Sequence, residues 1–182
     1  ILGFGQLIQN NPKEPLTDNQ AECVDQIVKG GRHLLSLINE VLDLAKIESG
    51  NISIEIESVS ATDIVTEAIE LTRSLALGRG IKVVSEILEP QPMIKGDYAR
   101  LRQVLLNVMS NAIKYNQENG RVTLSSRGAT EGFFRVCVTD TGPGIPQDRK
   151  DEVFQPFHRL GAENTSVEGT GVGLAITRQL VH

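Results

Sequence analysis

Between Val24 and Ala45 the chain repeats one pattern. Val24, Ile27, Gly31, Leu34, Ile38, Val41 and Ala45 fall at alternating steps of three and four, which is the seam of a coiled coil or helix bundle. Leu35 and Leu42 widen that seam toward a bundle. The pattern commits the chain to one long helix from about Thr17 to Glu48. Thr17 stands three residues before Gln20, the spacing of a capping box, and Ser49-Gly50-Asn51 supplies the stop. A helix of about 30 residues at ~1.5 Å per residue is a rod of roughly 45 Å. Upstream, residues 1–10 (ILGFGQLIQN) read as the end of another amphipathic helix. Asn11-Pro12-Lys13-Glu14-Pro15 breaks it, because proline cannot continue the hydrogen-bond ladder. A two-helix hairpin is too thin to bury such a seam, so two copies are expected to pair as a homodimer with a four-helix bundle.

Past Asn51 the period changes. Ile52, Ile54 and Ile56 alternate with Ser53, Glu55 and Glu57, as in a half-buried strand. Ser60 and Asp63 mark another helix start, followed by Ile64, Ala68, Leu71 and Leu75 at helical spacing. Ile81, Val83 and Ile87 suggest a strand. Gly96-Asp97 precedes a predicted helix over 98–116, with Leu101, Val104, Leu105, Val108 and Ala112 as its core positions. Strands are expected at about 121–127 and 133–139, then a Gly/Pro-rich loop, a polar stretch and a final helix from Gly173. The expected organisation is α+β: a helical hairpin over 1–50, then a mixed domain over 51–182 with helices on one face of a sheet.

Bulk properties narrow the function. A net charge of −5 in 182 residues argues against nucleic acid as a partner. The two cysteines, Cys23 and Cys137, form no CxxC pair and have no histidine cluster nearby, which disfavours a disulfide framework or zinc site and fits a reducing, cytoplasmic compartment. No apolar run has the length of a bilayer span. The chain opens at Ile1 without a methionine and stops at His182 inside a helical pattern. Both ends therefore read as cut from a longer parent, which leaves open whether that parent has a membrane anchor.

Four short segments carry the candidate chemistry. In Asn107-Val108-Met109-Ser110-Asn111-Ala112-Ile113-Lys114-Tyr115, helical periodicity puts Asn107, Asn111 and Lys114 on one stripe. Amide oxygens suit Mg²⁺, a lysine neutralises phosphate, and a tyrosine can stack on a base. A solvated helix face would look the same. In Asp140-Thr141-Gly142-Pro143-Gly144-Ile145 an aspartate ends an apolar strand, where it needs a donor if buried, and Gly142 and Gly144 permit close backbone approach. A plain turn is the other reading. Val153-Phe154-Gln155-Pro156-Phe157-His158-Arg159-Leu160 offers an apolar anchor before the polar stretch Gly161–Glu168, either a lid or a surface loop. Gly169-Thr170-Gly171-Val172-Gly173-Leu174 opens a helix and can present backbone N–H groups to an anion. It lacks the Gly-Lys-Ser/Thr of a P-loop, and no strand precedes it as in a dinucleotide fingerprint.

In this order, N-x-x-x-N, D-x-G-x-G, F-x-P-F and G-x-G-x-G resemble the ATP-binding domain of sensor histidine kinases. This is the two-layer α/β sandwich (Bergerat fold) shared with gyrase B, the 90-kilodalton chaperones and MutL. The segment His33–Gly50 (HLLSLINEVLDLAKIESG) resembles the second helix of the kinases' dimerisation hairpin, and Ile1 to Gln9 the end of its first. The resemblance covers nearly the whole chain and implies ATP and Mg²⁺ as ligands. Asn111, with Asn107, would serve the metal. Lys114 and Arg159 would lie near phosphates, Tyr115 would border the adenine and Asp140 would accept its amino group. Gly142, Gly144 and Ile145 would shape the base pocket, and Gly169, Thr170, Gly171, Val172, Gly173 and Leu174 the phosphate loop. The implied partners are a second copy of the chain and the receiver domain of a response regulator.

The family's phospho-accepting histidine, in a His-Glu/Asp-x-x-Thr/Asn-Pro setting, would fall two to three turns before Ile1. His33, followed by Leu-Leu on the other helix, reads as structural, and neither His158 nor His182 has acceptor context. Two strands that follow the final helix in the family would lie beyond His182. No catalytic residue is therefore assigned, and this stretch by itself is not expected to autophosphorylate. Two rival readings are a nucleotide-gated module without catalysis and a gyrase-type ATPase. The latter needs a carboxylate near the first asparagine, where Arg100 and Gln103 stand instead.

Overall fold

The computed structural model describes residues 1–50, 53–87, 93–128, 133–159 and 169–181. Helix α1 (Leu2–Gln9) and helix α2 (Asp18–Glu48) form the hairpin. The cap works as its residues dictate: Gln20 N–H donates to the Thr17 hydroxyl at 3.4 Å, and Thr17 N–H donates back to Gln20 Oε1 at 3.0 Å. The helices close through small residues. A Cβ on Gly5 would stand 2.6 Å from Val28, and one on Gly31 would stand 2.9 Å from Leu2. Val28, absent from the expected seam, is the hairpin position that α1 buries. The expected seam itself is open: Ile27, Leu34, Ile38 and Val41 are exposed, as are Leu35 and Leu42.

The mixed domain contains β1 (Glu57–Ser60), α3 (Ala61–Gly78), β2 (Lys82–Ser85), β3 (Met93–Gly96), α4 (Tyr98–Lys114), β4 (Arg121–Gly128), β5 (Phe134–Asp140) and α5 (Gly173–Leu180). β1 pairs antiparallel with β3, Val59 opposite Ile94. A second sheet has the order β2-β4-β5, parallel at Val83↔Val122 and antiparallel at Leu124↔Val138. α3 and α4 cover the sheets. Their buried residues Ile64, Val65, Ala68, Leu105, Met109 and Ile113 join Val59, Val122 and Leu124 in one core. This is the expected α+β arrangement, a hairpin followed by a two-layer sandwich.

Three local expectations differ. Residues 53–56 are not a strand, and Ile54 and Ile56 are exposed. The strand begins at Glu57, where a partner exists in β3; Ile52 lies outside the described residues. Leu71 is exposed while Thr72 is buried, its hydroxyl donating to the Ala68 carbonyl at 2.7 Å. α4 ends at Lys114, not 116. At its start Asp97 accepts from Arg100 N–H (3.1 Å) and, across 42 residues, from Glu55 N–H (3.1 Å). These bonds, the Arg100 one foremost, hold the Asp97 carboxyl below its ordinary range.

A second, smaller cluster fixes the hairpin to the mixed domain. Leu44 of α2 packs with Val172 and Ile176 at the start of α5, flanked by Ile47 and Leu180. Beside it Gln103 of α4 donates to Asp43 at 3.1 Å, and the Thr170 hydroxyl donates to Glu40. Four α2 side chains thus reach across: two apolar, two acidic.

Candidate functional site

One cavity of about 800 Å³ lies where α2, α4, β5 and the glycine-rich turn before α5 meet, within the size range of small-molecule sites. α4 lines it with Asn107, Asn111 and Lys114, one stripe of an amphipathic helix whose opposite face buries Leu105, Met109 and Ile113. Tyr115 follows at the C-cap. β5 delivers Asp140 at its last residue, and the turn beyond it adds Gly144 and Ile145. Arg159, Gly169, Thr170, Gly171, Gly173 and Leu174 complete the set. The sequence-derived candidates therefore meet at one place, with two exceptions.

Gly142 does not line the cavity; it packs behind the wall. A Cβ there would lie 2.7 Å from the Tyr115 carbonyl and 2.8 Å from Asp140 Oδ1, so only glycine lets the turn close on the end of α4. Val172 is fully buried between Leu44 and Ile176. The lid candidate Gly161–Glu168 lies outside the described residues.

Each lining group has a definite state. Asp140 Oδ1 accepts the Gly142 N–H at 2.7 Å, which orients the carboxylate and leaves its other oxygen for a ligand donor. Asn107 Nδ2 donates to the Gly173 carbonyl (3.1 Å) and the Thr177 hydroxyl (3.4 Å), clasping α4 to α5. Its amide oxygen faces no protein donor among the described residues, and neither end of the Asn111 amide is engaged there. Lys114 has no acidic partner among the described residues. Among these residues no group of three or more His, Cys, Asp or Glu could hold a metal. A free-standing metal cage is thus not built here. Two amide oxygens beside a cationic cavity instead suit Mg²⁺ that keeps its water and phosphate ligands.

The phenylalanine segment is tied to the glycine run through the backbone. Phe157 N–H donates to the Gly171 carbonyl at 3.0 Å. Gly171 has φ +74, and a Cβ on it would stand 2.9 Å from the Phe157 carbonyl carbon. Phe154 is held under the Arg178 guanidinium, 5.3 Å from its ring centroid.

Sequence reading missed Asn116, which is buried. Its Oδ1 accepts from the Thr141 hydroxyl (3.0 Å) and Gln117 N–H (3.0 Å), while its Nδ2 donates to the Arg121 carbonyl (3.1 Å). It joins the end of α4 to β4 and to Thr141, the residue after Asp140. The available signal was weak: an asparagine where a helix must stop. The hairpin's contribution to the cavity (Arg32, His33, Ser36 and Glu40 among others) was missed altogether. His33 stands at this wall instead of serving only the bundle.

Comparison with known proteins places the chain in a family. The model of the histidine kinase-, DNA gyrase B- and HSP90-like ATPases matches residues 96–182, and that of the His kinase A phospho-acceptor domain matches residues 1–50. The non-motile and phage-resistance protein of Caulobacter vibrioides is 37% identical over 100% of this chain and 22% of its own length. Among solved structures, full-length ShkA in complex with AMPPNP superposes with a TM-score of 0.81 at 34% identity, covering 99% of this chain and 36% of that one. The mycobacterial sensor histidine kinase MprB gives a TM-score of 0.59 at 31% identity, over 70% of this chain and 78% of that one. The chain spans less than a third of the length of the curated relatives it matches.

Proposed function

Since this chain belongs to the sensor histidine kinases, we propose that it is the ATP-binding and dimerisation core of one, moving the γ-phosphoryl of ATP to a histidine and thence to a receiver-domain aspartate. Residues 1–50 act as the dimerisation part of the phospho-acceptor hairpin, without the segment that carries its histidine, and residues 51–182 as the ATP-binding domain. The observation that carries this reading is the shared cavity. An oriented carboxylate, Asp140, and a cation without an acidic partner among the described residues, Lys114, line it together with two amide oxygens open to a ligand.

In this reading Asp140 accepts the adenine amino group on the oxygen that Gly142 leaves free, which selects adenine over guanine. Tyr115 and Ile145 border the base. Lys114 and Arg159 neutralise phosphate, and the turn Gly169–Leu174 places backbone near it. Asn111, with Asn107, holds Mg²⁺, which when bound neutralises charge on the phosphates and orients them. Phosphoryl transfer of this kind needs little covalent chemistry from the protein; positioning and charge neutralisation do most of it. The exposed face with Ile27, Leu34, Ile38 and Val41 pairs with a second copy, and the assembly works in the cytoplasm. No helix among the described residues is long and apolar enough to cross a membrane.

Titration calorimetry with a hydrolysis-resistant ATP analogue, with and without Mg²⁺, tests the reading. Saturable binding that prefers adenine to guanine is expected. A folded sample that binds neither nucleotide would overturn it.

A further inference from the structure

The polar face of α2 has no role in a bundle seam, yet it is ordered against the cavity. Lys29, Arg32, His33, Ser36 and Glu40 all line it, and their spacing makes one helical stripe beside the apolar one. The C-terminal end of this stripe is fastened: Glu40 to Thr170, then Asp43 to Gln103. From Asp43 back to Arg32 is eleven residues, as is Gln103 to Lys114. Each span is roughly 16 Å of helix. Two rows of side chains thus leave one hydrogen-bonded anchor and line the same cavity.

The charge along these rows is uneven. The two carboxylates that line the cavity are both engaged, Glu40 with Thr170 and Asp140 with Gly142. Lys29 is paired with Asp25 at 2.7 Å. Arg32 and Lys114 have no acidic partner among the described residues, and the His33 ring has no hydrogen bond there. A cavity whose carboxylates are occupied while guanidinium and ammonium groups are not is built for an anion shared between two elements.

We propose that Arg32 and His33 of the hairpin form a subsite for the terminal phosphate of a nucleoside triphosphate held in this cavity. The triphosphate would then bridge α2 and the nucleotide-binding domain, whereas a diphosphate would reach only the α4 side. The hairpin becomes the part of the site that distinguishes the two nucleotides. By linkage, the triphosphate stabilises this docked arrangement in proportion to the affinity that α2 adds. The proposal rests on the cavity being the nucleotide site.

The test is calorimetric titration of the 182-residue chain with the β,γ-imido analogue of ATP and, separately, with ADP, for wild type, Arg32→Ala and Arg32→Ala/His33→Ala. Arg32 and His33 are exposed; should the double variant fail to fold, Arg32→Gln, which keeps most of the stem, replaces it. The expected result is a weakening of about tenfold or more for the triphosphate analogue, with ADP affinity unchanged. An unchanged triphosphate affinity, or an equal loss for both nucleotides, overturns the proposal while leaving the nucleotide site intact. A folded wild type that binds neither nucleotide removes the site and this subsite with it.

Discussion

Replacing Asp140 by asparagine changes one oxygen to an NH₂ at almost constant shape, and the structure dictates which way the new amide must lie. Gly142 N–H donates to Oδ1 at 2.7 Å, so the amide oxygen has to stay there; turning the NH₂ inward would set two donors against each other. The NH₂ therefore faces the cavity, where the proposed ligand group is itself a donor. The variant loses a hydrogen bond to a charged acceptor, worth about 1.5–3 kcal/mol, and gains a donor–donor contact. At about 1.4 kcal/mol per tenfold, the dissociation constant for the ATP analogue should rise roughly 10- to 150-fold. Calorimetry reads the effect directly, and the thermal midpoint serves as control, since the Gly142 bond is retained. A dissociation constant within about twofold of wild type in a stably folded variant would refute both the orientation argument and the placement of adenine at Asp140.

Other substitutions probe the frame around the site. Met109→Ala removes a fully buried side chain from the centre of the core and should cost about 2–5 kcal/mol in urea unfolding; a loss under about 1 kcal/mol would mean that the core collapses around the gap. Thr17→Ala removes the hydroxyl that accepts from Gln20 N–H at the cap of α2, while the Thr17 backbone arm remains, and should lower stability by about 1 kcal/mol, read in the same way. Tyr98 and Arg102 both donate to Glu67 and hold its carboxyl below the ordinary 4.5. Its contribution is present above that value and disappears as pH falls through the lower folded value. Glu67→Gln should therefore narrow the gap in thermal midpoint to wild type as the buffer goes from about pH 6 to 3, and a constant gap would contradict the assignment. Ile38→Glu places a charge in the exposed seam and should turn a dimer into a monomer in sedimentation; a dimer of unchanged affinity would move the proposed interface elsewhere.

What could be read from the residues alone was whatever local rules control. The cap at Thr17 depends on four consecutive residues, and the long helix on a seven-residue period repeated three times; both arise as expected. The stripe Asn107, Asn111 and Lys114 follows from helical geometry once the helix is granted. The alternation through Ile54 and Ile56 misled because a period of two needs a partner strand to become a sheet, and the partner, β3, pairs with Glu57–Ser60 instead. Val28 was passed over because a seam drawn for an unseen second copy need not be the line that α1 covers through Gly5. Glu40–Thr170 and Asp43–Gln103 join residues 130 and 60 positions apart, and no local period encodes such pairs. Hence the α4 wall and the glycine turns of the cavity were legible, and the α2 wall was not.

The backbone bond from Phe157 to Gly171 means that the chain leaves the cavity rim and returns to it at one point. The intervening segment therefore has its two ends held together by the fold itself. Its length is thereby uncoupled from the cavity: doubling it would add only about 0.6 kcal/mol of closure entropy. Insertions placed between Arg159 and Gly169 should therefore be tolerated, while Arg159 and Gly169–Leu174 keep their place at the cavity.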